Sequence, residues 1–216
     1  MAKASSSVQD RKLRESEQRR KDIIKVVRKL IKTGGTREMT LRKVAEQAGF
    51  STTVVYGLFK DKATLITQAM DEDVLALVKT MRAAVDPAFS AIDNIKRVGR
   101  AYVTFGLQHP DQYALVFMER RPHTPVENSM VEHGNQVQDP YAFGVQLFVE
   151  LAAAGHVDSA RIESMAQIFW EGIHGMTSLR LVFGDKEMWF EHDAFDAHID
   201  ALMDVLITGI LHRFKP

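Results

Sequence analysis

Apolar residues recur at spacings of three and four along almost the whole chain, and this feature limits the fold more than any other. Such spacing places side chains on one face of an α-helix, whereas a half-buried strand needs strict alternation. Between residues 13 and 31, for example, Ile23, Val27 and Leu30 follow the helical spacing among charged and amide side chains. No segment alternates convincingly. The sequence therefore predicts an all-α fold of about nine helices.

Glycine, proline and capping residues divide this pattern into separate helices. Gly35 and Gly49 predict helix ends, and Thr40 is a good N-cap for a short helix over residues 41–48. The first half of the segment 120–140 has two prolines and little apolar content, so it predicts a loop. The remaining predicted helices cover residues 62–85, 89–108, 111–119, 141–154, 159–183 and 194–214.

The stretch FSTTVVYGLF, residues 50–59, is the place where local propensity favours a strand. Residues 52–55 are all β-branched, and Gly57 weakens a helix by about 1 kcal/mol relative to Ala. A strand here would have apolar residues on both faces and no neighbouring strand. A helix from Thr52 to Phe59, capped by Ser51, instead buries one apolar seam. With the tight turn at Gly49, the sequence predicts a helix-turn-helix.

The charge is distributed unevenly although the net charge is zero. Residues 1–62 contain 16 Lys/Arg and 7 Asp/Glu, and residues 63–216 contain 12 Lys/Arg and 21 Asp/Glu. This asymmetry favours a polyanion-binding module joined to an acidic body, and a solvated basic helix with no partner remains the alternative. We predict two domains, a basic one over 1–66, with 1–10 disordered, and a larger acidic one over 67–216.

Several classes of protein are not supported by the composition. The chain has no cysteine, no apolar run long enough for a membrane span, and a charged N-terminal segment unlike a secretory signal. No two histidines have the i, i+4 spacing of a helical metal site, and the acidic run 71–73 resembles solvated helix ends. We expect a cytoplasmic, non-enzymatic protein with no cofactor, no metal and no membrane partner.

The outward face of the helix over 52–59 suits the major groove of double-stranded DNA. Thr hydroxyls and Thr or Val methyl groups can contact base edges, and a Tyr hydroxyl can donate to a phosphate. A glycine allows close approach of the backbone, and a lysine at the start of the next helix adds a phosphate contact. The candidates are Thr52, Thr53, Val54, Tyr56, Gly57 and Lys62.

The segment MTLRKVAEQAGFSTTVVYGLFKDKATLI, residues 39–66, resembles the DNA-binding signature of the tetracycline-repressor (TetR) family. The resemblance covers about residues 20–68. It implies that Tyr56 and Lys62 clamp the DNA backbone, that residues 52–54 read bases, and that Arg42 and Ser51 belong to the same interface. Leu58 departs from the family pattern, which often has His there, and Val54 stands where Thr is common.

The resemblance also implies a homodimer on a palindromic operator, formed through the last two helices. One short recognition helix contacts few base pairs, so two half-sites are physically reasonable. Apolar stripes on the predicted helices fit this interface, and the alternative is that they form only the core of one chain. The stripe residues are Ile162, Met165, Phe169, Ile173, Met176, Leu202, Val205, Leu206, Gly209 and Ile210.

The segment WEGIHGMTSLRLVFGD, residues 170–185, resembles the W-x-G-x-H-G element of one C-terminal subgroup of the family. The resemblance implies a repressor that leaves its operator when a small molecule binds inside the larger bundle. Aromatic and Met side chains suit a mostly apolar effector, although plain core packing is the alternative for each of them. The candidates are Tyr102, Phe105, Phe117, Met118, Phe143, Phe148, Trp170 and His174.

Two other functions remain compatible with the sequence. The first is a TetR-like DNA-binding protein without a small-molecule effector, acting through protein contacts or nucleoid organisation. The second is an all-α small-molecule-binding protein whose basic N-terminal part is incidental.

Overall fold

The computed structural model describes residues 2–119, 129–184 and 195–216, and for residues 2–7 the backbone alone. Within these ranges the chain is helical and has no strand, which confirms the all-α prediction. The described residues form nine α-helices, a π-helical turn over Ala114–Met118 and a 3-10 turn over Ser159–Arg161. The α-helices are α1 Ala2–Glu38, α2 Leu41–Ala48, α3 Thr52–Leu58, α4 Lys62–Ala83, α5 Ala91–Gln108, α6 Pro110–Tyr113, α7 Pro140–Ala153, α8 Ile162–Phe183 and α9 Phe195–Arg213.

The first helix differs from its prediction at both ends. It begins at Ala2, so residues 2–10, which we expected to be disordered, form its first turns, and Met1 lies outside the described residues. No glycine or proline precedes Gly34, so nothing in the chain stops the helix from propagating towards its N-terminus. Its regular path breaks at Gly35, where φ is 69°, and a short helical stretch continues to Glu38.

The chain divides into two compact units. The first contains Met1–Glu72 and Ala114–Met130, and the second contains Asp73–Tyr113 and Val131–Pro216. The first unit therefore extends beyond residue 66 and takes in a separate piece of chain, which a division into consecutive domains could not anticipate.

Helices α1, α2 and α3 pack together in the first unit. Ile23 and Val27 of α1, Val44 of α2 and Val55 of α3 are each 0% exposed. The spacing of these residues is the helical one that the sequence indicated, so the three helices share one core at the positions expected of a helix-turn-helix.

Carboxylates hold the separate piece of chain against the rest of the first unit. Glu119 accepts hydrogen bonds from the backbone nitrogen of Thr36, at 3.0 Å, and from its hydroxyl, at 2.8 Å. Asp71 accepts from the Ser129 hydroxyl, at 2.9 Å, and from the Met130 nitrogen, at 2.7 Å. Asp71 and Asp73 are each 2% exposed, so the prediction of a solvated acidic run was wrong for these two residues. A buried carboxylate keeps its charge only where donors replace water.

Helix α5 packs against α7, α8 and α9 in the second unit. The close approach of α5 to α8 and α9 depends on Gly99 and Gly106, which lie directly against side chains of those helices. A Cβ atom on Gly99 would lie 2.6 Å from the sulfur of Met203, and one on Gly106 would lie 2.5 Å from Cγ2 of Thr177. These distances leave no room for a methyl group, so the two glycines set how closely α5 approaches α8 and α9.

The predicted dimer stripes divide between the core and the surface. Met165, Phe169 and Ile173 are at most 5% exposed and pack within the second unit. These three residues therefore belong to the core of one chain and not to the dimer interface that we expected. Ile210 is also buried, at 2%. By contrast Val205 is 69% exposed. Other apolar side chains of α8 are exposed as well, at Ile168, Leu179 and Val182.

Candidate nucleic-acid interface and effector pocket

A capped turn fixes the direction of α3. The Thr40 hydroxyl accepts from the backbone nitrogen of Lys43 at 3.2 Å and caps α2. Gly49 then takes φ 70°, a left-handed conformation that favours glycine, and ends α2. The Ser51 hydroxyl accepts from the Val54 nitrogen at 3.3 Å and caps α3. These contacts over Thr40–Val54 close the turn without help from a strand, so α3 forms despite its β-branched residues.

The two faces of α3 have opposite environments. Val55 and Phe59 are 0% and 1% exposed and point into the core of the first unit. On the other face Thr52, Thr53 and Gly57 are exposed, and Tyr56 is exposed at 57%. An exposed Tyr beside two exposed Thr leaves hydroxyl and methyl groups available to a binding partner.

Arg20 of α1 fastens the C-terminal end of α3. Its Nη2 donates to the carbonyl oxygen of Leu58 at 3.1 Å, and its guanidinium lies 4.9 Å from the centre of the Phe59 ring. Its Nη1 donates to the side chain of Gln68 in α4. Arg20 thus satisfies a carbonyl at the end of α3 and connects that end to two other helices.

The start of α4 lies next to this surface. The Asp61 carboxylate accepts from the Thr64 nitrogen at 2.7 Å, and this hydrogen bond lowers the pKa of Asp61 below its usual value. Lys62, the first residue of α4, is partly exposed beside the capped end. A helix N-terminus with an adjacent lysine can bind a phosphate, although Asp61 already occupies one of the free backbone donors.

The second unit encloses an apolar cavity between α5, α7 and α8, with a volume of about 40 Å³. Its walls are aliphatic and aromatic. Tyr141 and Trp170, which are 38% and 36% exposed, stand at its edge with their ring centres 6.4 Å apart. The lining residues are Met81, Val98, Tyr102, Pro140, Tyr141, Gly144, Leu147, Phe148, Ala166, Phe169, Trp170 and Ile173.

A group of hydrogen-bonding side chains lies against one wall of this cavity. The hydroxyl of Tyr102 is 3.0 Å from Nδ1 of His174, and that of Tyr113 is 2.5 Å from the same nitrogen. The Trp170 indole donates to the Tyr102 hydroxyl at 3.3 Å, and Nε2 of His174 is 3.3 Å from the hydroxyl of Ser178. Burial lowers the pKa of His174 and raises the pKa values of Tyr102 and Tyr113, which favours the neutral form of all three.

Comparison with known proteins gives the family. Residues 23–69 match the bacterial regulatory proteins of the tetR family, and residues 95–206 match the tetracyclin repressor-like C-terminal domain. The second match alone spans about half of the chain. The chain belongs to the TetR family. Members of this family are DNA-binding transcription regulators rather than enzymes, which agrees with the capped helix-turn-helix of the first unit.

Solved structures of TetR-family proteins share this fold at low sequence identity. A candidate regulator from Shewanella sp. PV-4 has a TM-score of 0.68 at 16% identity, over 89% of this chain and 97% of its own. A regulator from Marinobacter aquaeolei VT8 has a TM-score of 0.65 at 13% identity, over 93% of this chain and 98% of its own. A regulatory protein from Rhodococcus RHA1 has a TM-score of 0.62 at 18% identity, over 87% of this chain and 96% of its own. No curated protein is similar enough to this TetR-family chain to count as a match.

The predicted DNA-contacting residues of this TetR-family protein lie around α3. Arg42 is exposed on α2, whereas Val54 is only partly exposed and the hydroxyl of Ser51 caps the helix. Leu58, whose apolar side chain was unexpected here, is partly exposed, and its backbone carbonyl is bound by Arg20. Arg20 was missed from the sequence because a basic residue in a long basic helix carries no distinguishing signal.

The predicted effector-contacting residues are not all in one place. Tyr102, Phe148 and Trp170 line the cavity, and His174 lies behind it in contact with Tyr102. The other four predicted residues lie outside this cavity. Phe105 lines a different groove on α5 with Arg97 and Arg100, Phe143 is buried on α7, and Phe117 and Met118 belong to the π-helical turn of the first unit.

Two further wall residues were assigned to the dimer stripe instead. Phe169 and Ile173 line the cavity together with Ala166 and Trp170. These four positions follow the i, i+3, i+4, i+7 spacing of one helix face, so this signal could have found them. Tyr113 was also missed, because the sequence does not indicate which aromatic residue the short α6 brings next to His174.

The described residues contain no group of three or more His, Asp or Glu that could hold a metal ion. Likewise, no helix within the described ranges combines the length and the apolar content needed to cross a membrane. The predicted loop in the first half of 120–140 falls mostly on residues 120–128, which lie outside the described residues.

Proposed function

We propose that this TetR-family protein is a homodimeric transcriptional repressor that binds a palindromic operator and leaves it when a small, mostly apolar molecule binds the second unit. The observation that carries the proposal is the exposed face of α3, where Thr52, Thr53 and Tyr56 project from a helix held by caps and a buried seam. A rigid helix with hydroxyl and methyl groups on its free face suits the major groove. Such a regulator would act in the cytoplasm, where bacterial DNA lies.

Exposed apolar residues support dimerisation through the last two helices. Leu179 and Val182 of α8 and Val205 of α9 are between 48% and 69% exposed. Burial of these apolar side chains against a second copy of the chain would lower the free energy. In a two-fold symmetric dimer the same face of each copy meets the other. The dimer would provide the second recognition helix that a palindromic site requires.

The cavity between α5, α7 and α8 supports an effector response. It is apolar, and it is bordered by polar groups that can recognise one feature of a ligand. A molecule that binds better to a conformation with displaced recognition helices would lower operator affinity by population shift. We assign the W-x-G-x-H-G segment to this response, since Trp170 lines the cavity and His174 contacts Tyr102.

A second candidate function is DNA binding without an effector. The observation in its favour is the cavity volume of about 40 Å³, which is smaller than the roughly 150 Å³ of an apolar cavity that holds benzene. This candidate predicts that no small molecule releases the operator. The effector function predicts release together with opening of the cavity.

Operator binding is tested with a duplex from the protein's own promoter and two substitutions. Lys62→Ala should reduce the dependence of log K on log salt by about one unit, because one phosphate contact is lost. Thr53→Ala should leave that slope unchanged. It should reduce the discrimination between the correct and a wrong base pair at one position of each half-site by about 1 kcal/mol or more. The measurement is equilibrium binding to single-base-pair variants of the duplex at several salt concentrations.

Arg19→Ala is the matched control, because it also removes an exposed positive charge from the first unit but lies away from the α2–α3 turn in the sequence. A protein that protects no palindromic site at moderate salt would contradict the repressor proposal. Equal slopes for Lys62→Ala and the unmodified protein would contradict the role of Lys62.

A further inference from the structure

The lining of the apolar cavity limits the charge of any molecule that occupies it. None of the twelve lining residues is Lys, Arg, His, Asp or Glu. An ionised group that enters such surroundings loses its hydration and gains no opposite charge, which is strongly unfavourable. His174, behind the wall, is kept neutral by burial, which lowers its pKa. The cavity therefore selects against carboxylates, phosphates and amines.

One hydroxyl group at the wall is suited to recognise a ligand. Tyr102 is 1% exposed, and its hydroxyl shares Nδ1 of His174 with the hydroxyl of Tyr113. A ring nitrogen has a single lone pair or a single proton, so the two hydroxyls compete for it. The Tyr113 contact, at 2.5 Å, is shorter than the Tyr102 contact, at 3.0 Å. The Tyr102 hydroxyl also donates to that of Tyr113 at 3.3 Å. An acceptor inside the cavity would replace one of these two contacts.

Resting on the effector response proposed above, we propose that the effector is an uncharged, mostly apolar molecule of at least aromatic-ring size, with one oxygen that accepts a hydrogen bond from the hydroxyl of Tyr102. A ketone or ester oxygen meets this description, whereas a carboxylate or a pure hydrocarbon does not.

The size of such a molecule requires the cavity to open. The present volume of about 40 Å³ is too small for a ring. Tyr141 and Trp170 stand at the edge, are partly exposed, and touch edge to face. Separation of these two rings would enlarge the cavity towards the solvent. It would also break the hydrogen bond of the Tyr141 hydroxyl to Glu163 or that of the Trp170 indole to Tyr102. The ligand then stabilises the opened form.

Three probes of similar shape test this inference by NMR titration of the full-length protein. Acetophenone is uncharged and has a carbonyl acceptor, ethylbenzene lacks the acceptor, and benzoate carries a charge. We expect acetophenone to bind roughly fivefold more tightly than ethylbenzene, the ratio typical of one neutral hydrogen bond. Benzoate should bind at least about tenfold more weakly than acetophenone, because its charge is not compensated.

Two variants locate the binding to this cavity. Tyr102→Phe removes one hydroxyl and should abolish the preference for acetophenone while the affinity for ethylbenzene changes less than about twofold. Gly144 lines the cavity, and a Cβ atom there meets nothing within 4 Å, so Gly144→Leu should fill the space and weaken both uncharged probes at least about tenfold. Val149→Leu, at an exposed position of the same helix, is the control and should keep both affinities.

Benzoate binding as tight as acetophenone binding would overturn the inference. So would an unchanged acetophenone preference in Tyr102→Phe, or the absence of any probe binding that Gly144→Leu weakens. The operator footprint of the unmodified protein keeps the two proposals separate. If the protein protects its operator but the probes do not bind as expected, only the proposed effector chemistry is rejected. If the probes bind as expected but no operator is protected, only the repressor function is rejected.

Discussion

His174 is a single residue whose protonation matters for the second unit. Burial lowers its pKa below the ordinary value of 6.5, and the hydroxyls of Tyr102 and Tyr113 face its Nδ1. Between pH 6.5 and the folded pKa the unfolded chain therefore binds more protons than the folded one. The contribution of His174 to stability is complete above about pH 6.5 and decreases as the pH falls through the folded pKa.

We therefore expect the melting temperature to decrease as the pH is lowered from 7.5 to 5. The decrease should be smaller in His174→Asn. The Asn side chain has an oxygen that can accept from a tyrosine hydroxyl but does not titrate in this range. Thermal unfolding of both proteins across this pH range measures the difference. His198→Asn, at an exposed position of α9, is the control. Identical pH dependence in all three proteins would contradict the role of His174.

At the scale of one element, α3 depends on Arg20 as well as on its caps. Arg20→Met keeps the aliphatic stem but leaves the Leu58 carbonyl without its donor. We expect a loss of about 1–3 kcal/mol in the free energy of unfolding and faster amide exchange in α3. Chemical denaturation and hydrogen exchange measure these effects. Arg19→Met removes the same charge at an exposed neighbouring position, and an equal effect in that control would show that charge alone matters.

Helix α5 provides a second element-scale prediction. Gly106→Ala places a methyl group 2.5 Å from Cγ2 of Thr177 and 2.8 Å from the ring of Tyr113, so we expect a loss of about 1–3 kcal/mol in unfolding free energy. Gly144→Ala has open space around its new methyl group and should gain up to about 1 kcal/mol from helix propensity. Denaturant unfolding of the two variants should therefore give changes of opposite sign. A stabilised Gly106→Ala protein would contradict the close packing of α5.

At the scale of the whole molecule, the proposed dimer makes Val205 important for association and not for folding. Val205 is 69% exposed, so Val205→Glu should leave the folded chain intact but bury a charge in the dimer interface. We expect light scattering to report a mass near 24.4 kDa for the variant and about twice that for the unmodified protein. Operator affinity should fall with the loss of the second recognition helix.

Val149→Glu introduces the same charge at an exposed position of α7 and should remain dimeric. A Val205→Glu protein of unchanged mass would remove this face of α9 from the interface. A changed circular dichroism spectrum would instead show that Val205 is needed for folding.

Local signals in the sequence predicted the elements well. Helix boundaries depend on neighbouring residues, so Thr40, Gly49 and Ser51 indicated the helix-turn-helix and its outward face before any tertiary contact was known. The sequence was less informative where two distant segments meet. The contacts of Glu119 with Thr36, 83 positions apart, and of Asp71 with Ser129 depend on how the chain returns to the first unit. No local pattern indicates that return.

The residues that line the apolar cavity were only partly predictable for a related reason. An amphipathic stripe indicates that a residue is buried, but it does not indicate which helix it meets. Phe169 and Ile173 follow the same spacing whether they face a partner subunit or their own core, and only the packing of α5 and α7 assigns them to the cavity. Tyr102 and Trp170 were predicted because large aromatic residues in the middle of body helices often border a cavity.

The separation of faces on α3 also has an evolutionary consequence. The residues that hold the helix, Ser51, Val55 and Phe59, are distinct from Thr52 and Thr53 on the exposed face. Exposed positions outside the caps and the core usually change stability by less than about 0.5 kcal/mol when substituted. The DNA-sequence preference of a TetR-family protein can therefore diverge by substitutions that the fold tolerates, so duplicated copies of such a gene can acquire new DNA targets without first gaining extra stability.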